Sequence, residues 1–282
     1  MPRMSFTEIS RPHPRVAVVT LNRPERMNAM AFDVMIPLRD ALRDVGSDND
    51  VRVVVITGAG RGFCSGADHE NPGAMPNMDG LTLPTIALRS MELLDDVIAT
   101  IRRLHQPVIA AVNGAAIGGG FCLALAADVR IASNEAYFRA AGINNGLTAA
   151  ELGLSFLLPR SVGQSRAAEI MLTGRDVDAD EADRIGLVSR VVAPEALLDA
   201  CYETAERIIG WSRVGVEVAK RVLWAGLDSS SLEAHIRHEG ISQLYVRNLT
   251  GNFEEMIRAR KEGRRPVYLD DAGQKVVPKQ SG

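Results

Sequence analysis

The sequence contains few cysteines and no strong excess of charge of either sign. Its 282 residues include 3 cysteines, and 32 Lys and Arg are nearly balanced by 35 Asp and Glu, for a net charge of −3. This balance gives no global attraction to nucleic acid or to an anionic membrane, so we expect neither as a partner. Cys64, Cys122 and Cys201 lack metal-ligand spacing and cannot all pair. We therefore expect no metal site and a reducing, cytoplasmic setting.

The chain also lacks an apolar leader and a convincing membrane span. Its first residues, Met-Pro-Arg-Met-Ser-Phe-Thr-Glu, hold no long apolar run, so we expect no signal peptide. Residues 108–127 carry no charge and match the length of a membrane span. However, Asn113 and four glycines fall within them, and no Lys or Arg cluster flanks them. We interpret this stretch as a buried strand, a tight turn and a helix.

Buried-strand and amphipathic-helix patterns are present instead, and 46% of the residues are hydrophobic. The patterns predict strands at residues 16–21, 51–57, 108–112, 128–132, 136–139 and 187–192. They predict helices at 31–45, 91–104, 164–172 and 179–185, a helical turn from Thr148, and helices at 195–209, 214–224, 231–248 and 252–261. We therefore expect an α/β core at 1–193 that holds the active site, and a helical oligomerisation region at 194–282.

Two glycine-rich loops each follow a predicted buried strand. The first begins as Thr57-Gly-Ala-Gly-Arg-Gly62, which resembles a dinucleotide-binding turn, but Gly62 leads into Phe-Cys-Ser-Gly and not directly into a helix. We therefore reject a nicotinamide enzyme. If the two strands are neighbours, one backbone N–H from residues 65–68 and one from residues 118–120 can converge on a carbonyl oxygen as an oxyanion hole. The alternative is that both loops are only tight turns.

Several longer motifs resemble those of the crotonase (enoyl-CoA hydratase/isomerase) superfamily. They occur in the family's order and are Asn22–Met30, Phe63–Asp68, Pro107–Gly120, Ala127–Ala132, Leu172–Asp176 and Ala182–Val188. The resemblance implies a crotonase-like spiral of strand-strand-helix repeats with a C-terminal helical region. It also implies an enzyme with a coenzyme A thioester as its substrate, no cofactor, and a homotrimer or a hexamer made of two trimers.

The resemblance also implies roles for individual residues. The backbone N–H groups of Ala67 and Gly119 are expected to form the oxyanion hole. The residues expected to bind CoA are Arg26, Met27, Ala29, Ser65, Gly66, Asp68 and His69. A structural role remains open for Asp68, as a helix cap or as the partner of Arg130, and a packing or surface role for His69.

The sequence departs from the family's hydratases at both of their catalytic glutamates. Cys122 stands at the first of these positions and Gly142 aligns with the second, and neither can activate water near neutral pH. Glu151 is a nearby carboxylate, at a place where family isomerases have an acidic residue, although the chain is one residue longer there. It is either a proton shuttle with a raised pKa or a glutamate that interacts with a helix N-terminus.

We therefore expect an acyl-CoA-processing, hydratase-like enzyme of fatty acid metabolism in which Glu151 moves the proton. By family name it would be a hydro-lyase. The alternatives are an enoyl-CoA isomerase that uses a single carboxylate, and a noncatalytic acyl-CoA-binding protein.

Overall fold

The structure, a computed structural model, describes residues 6–270 of the chain. Its strands are β1 (Thr7–His13), β2 (Val16–Leu21), β3 (Val53–Gly58), β4 (Gly62–Cys64), β5 (Val108–Val112), β6 (Ala115–Ile117), β7 (Val129–Ser133), β8 (Tyr137–Arg139), β9 (Asp176–Asp178) and β10 (Arg190–Val192). Its helices are α1 (Phe32–Ser47), α2 (Leu83–Arg103), α3 (Gly119–Ala126), α4 (Leu154–Val162), α5 (Gln164–Thr173), α6 (Ala179–Arg184), α7 (Leu197–Ile209), α8 (Arg213–Gly226), α9 (Leu232–Leu249) and α10 (Asn252–Glu262).

The strands form two sheets. The larger has the order β1-β2-β3-β5-β7-β10, and its neighbours are parallel except for the antiparallel pair β1 and β2. The smaller has the order β4-β6-β8-β9, in which β4, β6 and β8 are parallel. Every residue of β3 and β5 is buried, which explains their continuous apolar sequence, because a parallel strand covered on both faces has no polar side.

The chain alternates between the two sheets. After β3 in the larger sheet it adds β4 to the smaller sheet and then forms α2, and it repeats this order with β5, β6 and α3. The predicted strand-strand-helix repeat is therefore present. The segments expected to provide the oxyanion hole, at 65–68 and 118–120, do not follow β3 and β5 directly, in contrast to the prediction from the sequence, because β4 and β6 intervene.

The predicted strands and helices are present with shifted ends, and the structure adds elements that the sequence analysis missed. These are β1, β4, β6, β9 and α4. The helical turn predicted from Thr148 is wrong, because α4 begins only at Leu154 and Leu152 has a left-handed backbone with φ of 44°. Helix α2 begins at Leu83, ahead of the start predicted at residue 91.

The chain divides into two compact units whose boundary falls within α7, between Ala205 and Glu206. The first unit contains both sheets, and the second contains α8, α9 and α10. Within the second unit, the carboxylate of Asp270 accepts hydrogen bonds from Arg213 N–H and from Asn252 Nδ2, both at 2.7 Å. Among residues 6–270, no helix is both long enough and apolar enough to cross a membrane, and no cluster of side chains suited to a metal ion is found.

Candidate active site

Three chain segments meet where three parallel strands of the smaller sheet end. Strand β4 leads to the loop at 65–69, β6 to the turn at Gly118, and β8 to the segment at 140–153. Because the carboxyl ends of parallel neighbours lie at the same edge, the three segments must be adjacent. Two contacts record this adjacency. Gly118 N–H donates to Arg139 C=O at 2.9 Å, and a β-carbon on Gly66 would be 2.7 Å from Ile117 O.

The loop at 65–69 holds Ala67 so that its N–H has no strand partner. Met30 forms a parallel bridge with Ala67, in which Met30 N–H donates to Gly66 C=O at 2.7 Å and Asp68 N–H donates to Met30 C=O at 3.0 Å. Because Met30 bonds to the two residues that flank Ala67, the N–H of Ala67 itself points away from Met30. Ala67 is also exposed, whereas Gly66 and Asp68 are buried. Its N–H is therefore available to a ligand.

The second expected donor is the N–H of Gly119 at the first turn of α3. The first bond inside this helix runs from Cys122 N–H to Gly118 C=O at 3.1 Å, so the N–H groups before Cys122 have no partner within the helix. Gly118 precedes the helix with φ of 52°. A β-carbon on Gly119 would overlap Met30 Sδ, and one on Gly120 would overlap Cys64 O. Backbone packing therefore requires glycine at 120, whereas a side chain at 119 would displace that of Met30.

A buried ion-pair network holds the first loop. The side chain of Asp68 is 1% exposed and lies 3.0 Å from Arg23 Nη1 and 2.7 Å from Arg26 Nη2. It also accepts the N–H groups of Glu70 and Asn71. The hydrogen bond from Arg26 is the largest cause that lowers the pKa of Asp68 to about 2. This side chain is thus fully engaged within the protein, but through Arg23 and Arg26 and not as a helix cap or as the partner of Arg130.

The residues expected to bind CoA lie together along one strip. Arg26 ends a short helical turn, its side chain is 36% exposed, and it also pairs with Glu70. Met27 has a left-handed backbone with φ of 51°, and its C=O accepts Ser65 N–H at 3.0 Å. Ala29 is buried at 6% exposure, and His69 is exposed beyond Asp68.

Glu151 lies at the same glycine turn. A β-carbon on Gly118 would be 3.3 Å from Glu151 Oε1 and 3.9 Å from Gly66 Cα, so the carboxylate borders the turn that packs against the first loop. Glu151 is half-buried, and burial raises the pKa of its carboxyl, while the charge of His69 acts in the opposite direction. Among residues 6–270 no side chain donates a hydrogen bond to this carboxylate. Its oxygens are therefore available to accept a proton.

Neither position of the absent hydratase glutamates offers an acid or base. Cys122 is fully buried, and burial followed by the charge of Glu151 raises the pKa of its thiol well above the usual value. Its Sγ donates to Glu151 C=O at 3.5 Å, so it packs behind the carboxylate segment. At Gly142, a β-carbon would overlap Thr148 O, so this backbone has no room for any side chain.

The sequence analysis missed three residues that shape the site. Asn28 is fully buried, and its Nδ2 donates to Ala59 C=O and Gly62 C=O. These bonds hold the turn at 27–28 against the glycine-rich loop at 58–62. Asparagine is one of the few residues other than glycine that adopt a left-handed backbone, so its type could have indicated a turn at residue 28. Met30 and Leu152 contact Gly119 from different segments, and the sequence carries no signal for such a contact.

Comparison with known proteins agrees with this geometry. The enoyl-CoA hydratase/isomerase family profile matches residues 12–270. A probable enoyl-CoA hydratase of Mycobacterium bovis is 68% identical over 95% of this chain and 94% of its own. The crystal structure of a probable enoyl-CoA hydratase/isomerase from Mycobacterium abscessus has a TM-score of 0.91 and 67% identity, and the match covers 95% of this chain and 100% of that one.

A second solved structure belongs to a protein described as a monofunctional enoyl-CoA isomerase from M. smegmatis. It has a TM-score of 0.71 and 61% identity over 82% of this chain and 98% of its own. With a profile matched over most of its length and relatives above half identity, the chain belongs to the enoyl-CoA hydratase/isomerase family of the crotonase superfamily and is an enzyme of that family.

Proposed function

We propose that this enzyme moves the carbon–carbon double bond of an enoyl-CoA thioester, with Glu151 as the proton shuttle. The observation that carries this proposal is the single carboxylate beside the two backbone donors. Glu151 Oε1 borders Gly118, whereas Gly142 has no room for a side chain and Cys122 is a buried thiol. The isomerase description of the M. smegmatis relative, at 61% identity, supports the same choice.

The chemistry needs no other acid or base. The thioester oxygen accepts the N–H groups of Ala67 and Gly119, which stabilises the negative charge that develops when the α-carbon loses a proton. The Glu151 carboxylate takes that proton, and the electron pair left on the α-carbon delocalises into the neighbouring double bond. Glu151 then returns the proton to the γ-carbon. One proton leaves and one is added, so the product is the conjugated isomer and no water is consumed.

The environment of Glu151 suits this role. Its pKa is raised by burial, which brings the carboxyl closer in proton affinity to the carbon acid than an exposed glutamate would be. The N–H groups at the start of α3 add the positive end of a helix dipole at the oxygen where charge develops. Both effects assist formation of the enolate and neither requires a second carboxylate.

The CoA portion would lie along the strip already described. Arg26, Met27 and Ala29 lie on one side of the Ser65–His69 loop, which they contact through backbone bonds and the Asp68 ion pairs. The part of the Arg26 guanidinium that remains exposed is available to a phosphate of CoA. No cofactor is needed in this scheme.

Hydration is the second candidate, and the description of the M. bovis relative as a probable enoyl-CoA hydratase favours it. Hydration requires one group to activate water and another to protonate the α-carbon. Glu151 would have to perform both steps, because residues 122 and 142 provide neither group. We therefore expect hydration to be slow compared with isomerisation.

We further propose that the protein acts as a homotrimer or hexamer assembled through its helical region. Helix α9 has no buried residue, although it includes large apolar side chains such as Leu232, Ile241 and Leu244 with exposures of 76%, 71% and 59%. Such a surface favours association. The cytoplasmic setting and the role in fatty acid metabolism stay predictions. Light scattering tests the assembly, and a monomer at micromolar concentration would contradict it.

The function is tested by giving the purified protein two substrates. A 3-enoyl-CoA reports isomerisation through the absorbance of the conjugated product, and crotonyl-CoA reports hydration through the loss of that absorbance. We expect rapid isomerisation and slow hydration. Rapid hydration would favour the second candidate, whereas CoA-thioester binding without proton exchange at the α-carbon in D2O would favour a noncatalytic binder.

A further inference from the structure

Gly119 is enclosed by two apolar side chains that come from different parts of the first unit. Met30 Sδ occupies the space that a side chain at residue 119 would take, because a β-carbon there would overlap it. Leu152 Cδ1 would lie 3.2 Å from the same β-carbon. Met30 is 6% exposed and Leu152 is 8% exposed. The contact between the two side chains and Gly119 is therefore tight and largely closed to solvent.

Each of these side chains belongs to a residue that also fixes another group of the site. The backbone of Met30 bonds on both sides of Ala67, through Gly66 C=O at 2.7 Å and Asp68 N–H at 3.0 Å. Leu152 directly follows Glu151, whose Oε1 would be 3.3 Å from a β-carbon on Gly118, so the Leu152 side chain anchors the backbone next to the carboxylate. Ala67, Gly119 and Glu151 are thus joined through two side chains that meet at one glycine.

The backbone of Leu152 supports an active role for its side chain. Its φ of 44° lies in the left-handed region, which a leucine adopts only at a cost in free energy. A glycine would adopt this conformation freely. With leucine at this position the backbone is strained, but the side chain packs against Gly119, a contact that glycine could not make.

We propose that Met30 and Leu152 form a clamp on Gly119 and are positioning residues for the reaction, setting the distance between the two oxyanion donors and between those donors and the Glu151 carboxylate. Neither side chain takes part in proton transfer. The inference rests on the proposed function, since the groups that the clamp positions are those to which that function assigns the chemistry.

The test compares two truncations with matched controls. Met30→Ala removes one side of the clamp, and Leu152→Gly removes the other while relieving the left-handed backbone. Met35→Ala and Leu158→Ala are the controls, because these side chains are 1% and 0% exposed and lie in α1 and α4, outside the clamp. Thermal unfolding confirms that all four variants are folded at the assay temperature.

We expect both clamp variants to lose kcat by about 10²-fold with little change in KM, the loss expected when reacting groups are misplaced by roughly 1 Å. Both controls should keep kcat. Met30→Leu, which restores most of the volume, should recover most of the activity of Met30→Ala. If a clamp variant does not fold, Leu152→Asn takes its place and should show the same loss of kcat, because asparagine tolerates a left-handed backbone but cannot fill the apolar space.

A spectroscopic measurement separates positioning from a loss of stability. With an acyl-CoA labelled with 13C at the thioester carbonyl, infrared difference spectra report the hydrogen bonds from Ala67 and Gly119 as a lowered stretching frequency. We expect the lowering in the wild type and in both controls, and a smaller lowering in Met30→Ala and Leu152→Gly. Folded clamp variants with the wild-type frequency and kcat would overturn the clamp. A wild type that binds the thioester without any lowering would instead contradict the proposed function.

Discussion

The two sides of the candidate site are held in different ways. The donor side, at 65–68 and 118–119, is fixed by a parallel bridge, by the ion pairs of the buried Asp68 with the buried Arg23 and the partly exposed Arg26, and by close contacts between backbones. The carboxylate side, at 148–153, has few bonds. Leu154 N–H donates to Glu151 C=O at 2.8 Å, Ala150 N–H donates to Thr148 Oγ1 at 3.0 Å, and Leu152 has a left-handed backbone.

We infer from this difference that one side of the site binds the thioester and the other determines which reaction occurs. In the proposed function, the rigid side would provide the donors that any reaction through a thioester enolate requires. The carboxylate side would determine which proton moves and where it goes. A family that keeps the first and varies the second can change its reaction without rebuilding its fold, in line with the general observation that one fold hosts many functions.

The proposed role of the carboxylate side is tested most directly by Glu151→Gln, for which we expect the largest effect. Because this variant keeps the shape of the side chain but cannot take up the proton, we expect kcat for isomerisation to fall by about 10³-fold while the substrate still binds. Steady-state kinetics and a binding titration measure the two effects. Glu135→Gln, at an exposed position outside the site, is the control and should keep full activity. Retention of activity in Glu151→Gln would remove Glu151 from the mechanism.

The same variant has an expected effect on stability. Because the folded state raises the pKa of Glu151, the folded protein retains this proton to a higher pH than the unfolded chain does. Its stability therefore falls as pH rises through that raised pKa. Glu151→Gln should unfold at a higher temperature than the wild type at neutral pH, and this difference should shrink as the pH is lowered. A lower unfolding temperature at neutral pH would contradict this sign.

The proposed role of the donor side is tested by Gly119→Ala. The new β-carbon overlaps Met30 Sδ, so the Met30 side chain is displaced or the turn shifts, and we expect the distance between the N–H groups of Ala67 and Gly119 to change. We expect kcat to fall by about 10²-fold, as for loss of one oxyanion donor. Gly240→Ala in α9 is the matched control, because nothing lies near the added carbon. If Gly119→Ala is as active as that control, Gly119 is not a donor.

The rigidity of the donor side is tested by Asp68→Asn. Removal of the Asp68 charge leaves the buried Arg23 with only the exposed Glu25, at 4.0 Å, as an ion-pair partner, so we expect a loss of about 3 kcal/mol in the free energy of unfolding at neutral pH and a smaller loss of activity. Since the pKa of Asp68 is lowered from 3.8 to about 2, this contribution is present above pH 3.8 and is lost as pH falls toward 2. Acid unfolding curves of the wild type and the variant should converge there. Asp40→Asn, which affects a half-exposed pair with Arg39, should cost much less.

The two sides also differ in how far the sequence predicts them. The donor residues lie in loops whose glycines and neighbours form continuous motifs, so Ala67 and Gly119 could be named from local sequence. Strands β4 and β6, which deliver these loops, were missed because each has 3 residues, too few for a recognisable alternation. Such short strands form because neighbouring strands are already in place.

The carboxylate side depends on contacts that no local pattern encodes. The helical turn predicted at Thr148 is wrong because Leu152 adopts a left-handed backbone, which leucine avoids unless tertiary packing imposes it. Helix α4 was missed because Gly153 and Pro159, at its start and within it, are poor helix formers. The absence of carboxylates at 122 and 142 was readable, but the lack of space at Gly142 was visible only in the structure.

The electrostatic link between the two sides is tested by His69→Gln. Glu151 must be ionised to accept a proton, so the acid limb of the kcat/KM profile follows its pKa and should lie above the value of 4.5 usual for glutamate. The charge of His69 lowers this pKa. Removal of the imidazole should therefore move the acid limb to higher pH by a fraction of a unit. His238→Gln, at an exposed position in α9, should leave the limb in place.

The smallest effect is expected for Cys122→Ala, although this residue stands where family hydratases have a catalytic glutamate. Its thiol is buried, with a pKa raised well above the usual value, so it is uncharged at neutral pH and takes no part in proton transfer. The variant loses a weak bond to Glu151 C=O and a little volume, so we expect kcat to change by less than about 3-fold and stability to fall by about 1 kcal/mol. Cys201→Ala, which truncates another fully buried thiol, should lower stability similarly. A loss of kcat in Cys122→Ala comparable to that of Glu151→Gln would place the thiol in the chemistry and would end the assignment of the reaction to a single carboxylate.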